Sequence, residues 1–139
     1  MAVLTDTAEI IKALKANTAE DLPVLFADAG LPALDVFAVG HSRNEKDKGL
    51  FFYLDSYSES GNMITVSPIV QAQLAGFTFE NALKAHDVII DFFNSFRIDD
   101  FILEGVNTDI WPIEQSQGVF IFFSLTYTQI LDSCNWRRA

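Results

Sequence analysis

The sequence predicts an α+β domain, a mostly antiparallel sheet covered by an N-terminal helix and one long amphipathic helix. Residues 79–96 carry apolar side chains at spacings of three and four, which is typical of a helix packed on a sheet. Residues 118–131, GVFIFFSLTYTQIL, have the aromatic and β-branched composition of a strand. A length of 139 residues fits one domain over residues 1–139, and a single cysteine, Cys134, excludes an internal disulfide framework.

The N-terminal region predicts two helices. The first covers residues 6–16, with an acid in its first turn and lysines near its end, both favourable to the helix dipole. Asn17 and Thr18 predict its end. Residues 18–30 predict a short second helix, for which Gly30 is a good terminator.

Strands are predicted in the middle of the chain. Residues 34–40 and 50–58 form two strands, and residues 41–49, HSRNEKDKG, form a long charged hairpin loop between them. A third strand covers residues 63–66. Pro68 ends this strand or confines it to a sheet edge, because proline cannot donate to a strand ladder.

The long helix over residues 79–96 is capped by Thr78. His86 lies on its apolar stripe, and neither Asp87 nor Asp91 is expected to share that face. We therefore expect a partly buried histidine with satisfied hydrogen bonds rather than a metal ligand.

The remaining strands close the sheet. Residues 101–106 and 110–114 are predicted as strands separated by a turn at residues 107–109, and the Trp111-Pro112 pair makes the second one short or an edge. Residues 118–131 are apolar on both faces at their start. Such a strand either lies centrally in a covered sheet or contacts another subunit, since it would aggregate if left exposed.

The charge is strongly negative. The net charge is −10, and no lysine or arginine lies between Ile98 and Trp136. The predicted acidic surface consists of Asp99, Asp100, Glu104 and Asp109. Such a surface repels phosphates, which argues against tight binding of a nucleic acid. It is compatible with a surface along which DNA slides without binding. A solvated face that keeps the protein soluble is the simpler alternative.

No catalytic pattern is present in the sequence. There is no glycine-rich phosphate loop, no nucleophile elbow and no spaced ligand set, and the chain has only two histidines. We therefore expect no enzyme activity, no cofactor and no metal site. The N-terminus lacks a signal peptide, and the longest apolar run is too short for a membrane helix, so we expect a soluble, intracellular protein without membrane contact.

Positive charge is concentrated in two places, which we predict as interface residues of an oligomer. They are Arg43, Lys46 and Lys48 in the charged loop, and Trp136, Arg137 and Arg138 near the C-terminus. A mobile loop and a frayed terminus are the alternative.

Two segments carry a family resemblance, the helix FENALKAHDVIIDFFNSF and the closing strands FILEGVNTDIWPIEQSQGVFIFFSLTYTQI. In this order they resemble the tail terminator (tail completion) proteins of long-tailed phages. The resemblance implies a small α+β domain that forms a ring, usually a hexamer, ends tail-tube polymerisation and joins tail to head. It implies tail-tube and head-completion proteins as partners, DNA as passing cargo in an acidic lumen, and no catalytic residues. The location would be the host cytoplasm during assembly and then the virion.

Two hypotheses of different classes follow. The first is this ring-forming tail terminator, in which the loop over residues 41–49 would contact the tube. The alternative is an acidic protein-binding module, such as an immunity protein, an adaptor or a DNA mimic, that acts on a basic partner.

Overall fold

The computed structural model describes residues 3–40, 48–98, 101–113 and 116–130, with side chains from residue 8 onward. In these residues the chain forms two helices and five strands. Their order is α1 Val3–Asp28, β1 Val36–Val39, β2 Lys48–Ser60, β3 Met63–Ala75, α2 Phe79–Ser95, β4 Ile102–Pro112 and β5 Gly118–Ile130. The strands make one sheet in the order β1-β2-β3-β5-β4. The predicted α+β class and mostly antiparallel sheet are therefore confirmed.

Both helices pack on one face of the sheet. α1 lies over β1 and β2, and α2 lies over β5. The core between the two layers contains fully buried side chains such as Leu14, Phe26, Phe52, Phe93 and Phe123. Burial of this apolar area is the main stabilising contribution to the fold.

The N-terminal helix is a single element, so the predicted break at Asn17 and Thr18 is wrong. A buried residue recurs at every fourth position, which keeps one stripe against the sheet through the predicted break; the series is Ile10, Leu14, Thr18, Leu22 and Phe26. Thr18 is tolerated inside the helix because its hydroxyl donates to the Leu14 carbonyl oxygen at 2.6 Å. Pro23 lies inside the helix as well.

The predicted hairpin of the first two strands is also wrong. β1 pairs with β2 in parallel, from Val36 opposite Gly49 to Val39 opposite Phe52. Parallel strands need a return connection. Because β1 is only four residues long, its end lies only about 13 Å beyond the start of β2 along the strand direction.

The strand ends predicted at Pro68 and at residues 107–109 are wrong, because the strands continue through both. Pro68 lies inside the central strand β3, opposite Leu54, where β2 has a register shift between Leu54 and Ser56. Irregular pairing is where a strand proline is tolerated. Asn107 and Asp109 do not form a turn, since β4 continues through them. The Trp111-Pro112 pair predicted a short strand or an edge strand, and the edge is confirmed, because β4 pairs with β5 alone among the described strands.

The two remaining elements match their predictions closely. The Thr78 side chain caps α2 by accepting a hydrogen bond from the Asn81 amide at 3.1 Å. β5 lies between β3 and β4, so its apolar residues occupy a central strand. Its odd-numbered side chains from Val119 to Tyr127 are buried beneath the helices.

The other side of the sheet is called the helix-free face, because neither described helix packs on it. Its members follow from the strand register: Phe51, Gln71, Phe122 and Asp109 form one row across four strands. Phe120 and Phe122 lie side by side on it, with ring centroids 6.5 Å apart. The face is aromatic near the start of β5 and rich in serine and threonine further along.

Candidate functional site

The predicted site residues fall partly inside the described chain. Glu104 and Asp109 lie on β4, and Lys48 is the first residue of β2. The others lie outside the described residues: Arg43, Lys46, Asp99, Asp100, Trp136, Arg137 and Arg138.

The two described carboxylates of the predicted acidic surface are exposed but separate. Glu104 lies at a register shift between Leu103 and Gly105, and its Oε1 accepts a hydrogen bond from the Thr128 hydroxyl at 2.8 Å. Asp109 lies opposite Phe122 on the helix-free face. Glu104 and Asp109 are five positions apart on β4, which separates them by about 17 Å along the strand. They therefore do not form one cation site, and the described residues contain no group of three potential metal ligands.

Lys48 lies far from both carboxylates in the sheet order. Its carbonyl oxygen accepts a hydrogen bond from the Asp35 amide at 2.7 Å. Its Cε atom lies 3.8 Å from the position that a Cβ atom would take on Gly76. The side chain thus extends along the end of the sheet toward β3 and not toward β4.

The outer side of β4 is the most distinctive surface of the described chain. All described ladder pairs of β4 join it to β5, so its outer N–H and C=O groups have no described strand partner. Three large apolar side chains on this strand are exposed, Ile102 at 62%, Ile110 at 41% and Trp111 at 60%. A long edge strand with exposed apolar residues is a template for pairing with another chain.

Sequence reasoning predicted an edge strand but missed this surface. The turn-type residues Asn107 and Asp109 led to two short strands instead of one long one. The alternation of Val106, Thr108 and Ile110 with those polar residues was the signal for a continuous strand.

His86 connects the helix layer to β4. Its Nδ1 lies 3.0 Å from the Asp87 carboxylate, and its Nε2 lies 3.2 Å from the Thr108 hydroxyl. Its ring stacks on Phe123 with centroids 5.7 Å apart. The expected partly buried histidine with satisfied hydrogen bonds is confirmed. Asp87 lies off the buried face, as expected, and its exposed carboxylate still reaches the Nδ1 atom of its neighbour. Both ring nitrogens are engaged, so this imidazole positions α2 on the sheet.

One buried polar group has no partner in the described chain. The Tyr127 side chain is 1% exposed, and its hydroxyl makes no hydrogen bond. Burial raises the pKa of Tyr127 to about 12. The Tyr127 ring borders a cavity of about 260 Å³ between the end of α2 and the start of β4. Because the hydroxyl oxygen itself is enclosed, it cannot contact a ligand, and its burial costs desolvation free energy.

A wider groove of about 620 Å³ separates the second half of α1 from the end of α2. Val24, Leu25 and Phe96 give it apolar walls, and Arg97 also lines it.

Neither described helix is long and apolar enough to cross a membrane. Comparison with models of protein families and with curated proteins finds no match to this sequence.

Proposed function

We propose that this protein is a structural assembly subunit whose copies form a ring, and that the ring ends a phage tail tube and joins tail to head. The observation that carries the proposal is the long edge strand β4, whose outer side has no described partner and carries exposed Ile102, Ile110 and Trp111. A monomer that kept such an edge in solution would risk uncontrolled association. Closing the edge against another copy removes that risk.

The charge supports the same proposal. The net charge of −10 and the exposed carboxylates of Glu104 and Asp109 repel DNA phosphates. In a ring through which DNA passes, repulsion keeps the cargo from binding to the wall. The protein would act in the host cytoplasm during assembly and afterwards in the virion.

An acidic binding module for a basic partner is the second candidate. It is favoured by exposed carboxylates on the second half of α1, namely Glu20, Asp21 and Asp28. Asp28 lies in the last turn of a helix that has no basic residue there, where a negative charge is unfavourable. A basic partner would relieve that repulsion.

Native mass measured over a range of protein concentrations tests the proposal. We expect a closed ring, most simply a hexamer, by light scattering and native mass spectrometry. A monomer or dimer at all concentrations contradicts the ring and favours the acidic module.

A second experiment separates the two candidates by their partners. Neutralising Arg43, Lys46 and Lys48 should impair docking to tail tubes if the ring proposal is right. For the acidic module, those changes should matter little, while neutralising the acidic surface or the α1 carboxylates should abolish binding. Unchanged partner binding in both sets contradicts both assignments of the functional surface.

A further inference from the structure

We propose that β4 of one copy pairs antiparallel with β1 of a second copy, so that neighbouring sheets join edge to edge. This inference rests on the proposed ring and names the contact that would close it. The occupant of the β4 edge is therefore a second copy of this chain, presenting Val36–Val39.

The sheet has two edges, and both lack a described partner on their outer side. Among the described strands, β1 pairs only with β2, and β4 pairs only with β5. An outer edge satisfies its backbone groups by adding another strand. Since the two edges are different strands on opposite sides of the subunit, joining them is a head-to-tail contact, which closes into a ring when the rotation allows it.

The strand directions favour this contact. β1 and β2 run parallel, and each further step across the sheet, from β2 to β3, β5 and β4, is antiparallel. β4 therefore runs opposite to β1. Rotation about an axis parallel to the strands preserves strand direction, so it brings β4 of one copy antiparallel to β1 of the next. Antiparallel pairing is slightly the more stable per residue.

Charge disfavours pairing of β4 with itself. Antiparallel self-pairing about the centre of the strand, Asn107, places Asp109 of one copy opposite Gly105 and beside Glu104 of the other, and like charges across strands are destabilising. β1 contains no charged residue between Val36 and Val39. Pairing with β1 therefore leaves the Asp109 carboxylate without a like charge across the ladder.

Exposed apolar side chains on the two edges match. Val39 is 58% exposed and Ile110 is 41% exposed, and the register places both on the helix side of the sheet. An edge-to-edge joint that continues the sheet keeps them on the same side, where they can pack together. Trp111, 60% exposed on the other side, is of the residue type that most often anchors an interface.

A charge exchange between the two edges tests the inference. Ala38 lies opposite Phe51, so it shares the helix-free face with Asp109. Neighbouring strands are about 4.8 Å apart, so an offset of two residues keeps positions 38 and 109 within about 9 Å. That distance lies inside the screening length of about 10 Å at 0.1 M salt.

Three variants are compared with the wild type by native mass spectrometry at low salt. Ala38→Glu should raise the concentration needed for ring formation by roughly threefold or more, and Ala38→Lys should not raise it. Adding Asp109→Lys to Ala38→Glu should restore assembly. Far-UV circular dichroism and the unfolding midpoint show that each variant is folded.

Because Ala38 is half-buried, a mixing experiment uses an exposed position alone. Wild type and Asp109→Lys are mixed in equal amounts. Edge-to-edge pairing with β1 predicts a statistical distribution of the two chains in the rings. In β4 self-pairing, Asp109→Lys would place a positive charge beside Glu104 of the other copy. Preferred pairing of variant chains with each other would therefore indicate β4 self-pairing and overturn the inference.

The outcomes separate the inference from the proposed function. Rings that form equally well in wild type and Ala38→Glu contradict the β1–β4 joint and leave the proposed function standing. Equal weakening by Ala38→Glu and Ala38→Lys, without rescue by Asp109→Lys, contradicts β4 as the partner of β1. A wild type that remains monomeric at all concentrations contradicts both proposals.

Discussion

Replacing Tyr127 by phenylalanine should stabilise this protein. The Tyr127 hydroxyl is buried and makes no hydrogen bond to any described residue, so the folded state carries its desolvation cost. Removing the oxygen and keeping the ring should raise the free energy of unfolding at pH 7 by about 1 kcal/mol. For a domain of this size, that corresponds to an increase of roughly 3 °C in the unfolding midpoint.

The same hydroxyl makes the free energy of unfolding depend on pH in the alkaline range. Burial raises the pKa of Tyr127 from its ordinary value of 10.0 to about 12. Between these values the unfolded chain loses the proton and the folded chain keeps it, so stability falls as pH rises. This loss of stability is nearly absent below pH 10 and approaches roughly 3 kcal/mol once the pH exceeds 12. Tyr127→Phe should lack this loss.

Urea denaturation at fixed protein concentration measures both effects, at pH 7 and at steps from pH 9.5 to pH 11.5. Burial and the nearby Asp55 carboxylate also raise the pKa of Tyr53, but Tyr53 is present in both proteins, so their difference reports Tyr127. Tyr57→Phe is the matched control, because the Tyr57 hydroxyl donates to Glu59 at 3.3 Å and its removal should not stabilise. A Tyr127→Phe variant destabilised by more than about 1 kcal/mol would refute the reasoning, as would an unchanged alkaline loss.

Three further predictions concern the sheet and the long helix, each measured as the free energy of unfolding. Phe123→Ala, in the core, should cost about 3–5 kcal/mol, and Phe122→Ala, on the helix-free face, should cost less than half of that. Thr78→Ala should cost about 1 kcal/mol by removing the cap of α2. Gly118→Ala should cost at least about 2 kcal/mol, because φ at Gly118 is +133° and the added Cβ would lie 2.5 Å from the Leu74 carbonyl oxygen. Gly105→Ala is the control: its added Cβ meets open space, so stability should change by less than about 0.5 kcal/mol.

Each comparison has an outcome that contradicts it. Equal costs at Phe122 and Phe123 would mean that the helix-free face is as tightly covered as the core. A neutral Thr78→Ala would mean that the α2 cap bond contributes nothing. If Gly118→Ala and Gly105→Ala behave alike, the close approach of β3 at Gly118 is not a constraint.

Much of the fold was predictable where one local pattern dominates. The apolar stripe of α2 and the aromatic, β-branched composition of β5 are long and consistent, so the helix, its cap and the strand follow from the sequence. The central position of β5 was one of two alternatives, the other being contact with another subunit. The first helix was harder, because Asn17 and Thr18 are typical of a helix end. Thr18 is buried on the sheet-facing side of α1, and this tertiary burial outweighs the local preference for a helix end.

Strand direction and edge exposure could not be predicted in the same way. Whether β1 runs parallel or antiparallel to β2 depends on how α1 delivers the chain to the sheet, and no residue in Val36–Val39 encodes it. The candidate surface on β4 depends on which strand is last in the sheet order. That order places β5 between β3 and β4 and is a property of the whole chain.

The position of β5 has a consequence for synthesis on the ribosome. β5 follows the other elements in the chain, yet it lies inside the sheet and pairs with β3 and β4 on its two sides. Until β5 leaves the exit tunnel, β3 can pair only with β2, β4 has no neighbouring strand, and the apolar residues of α2 have no complete surface to cover. A nascent chain stalled before Gly118 should therefore be protease-sensitive and a substrate for chaperones, and protection should come in one late step.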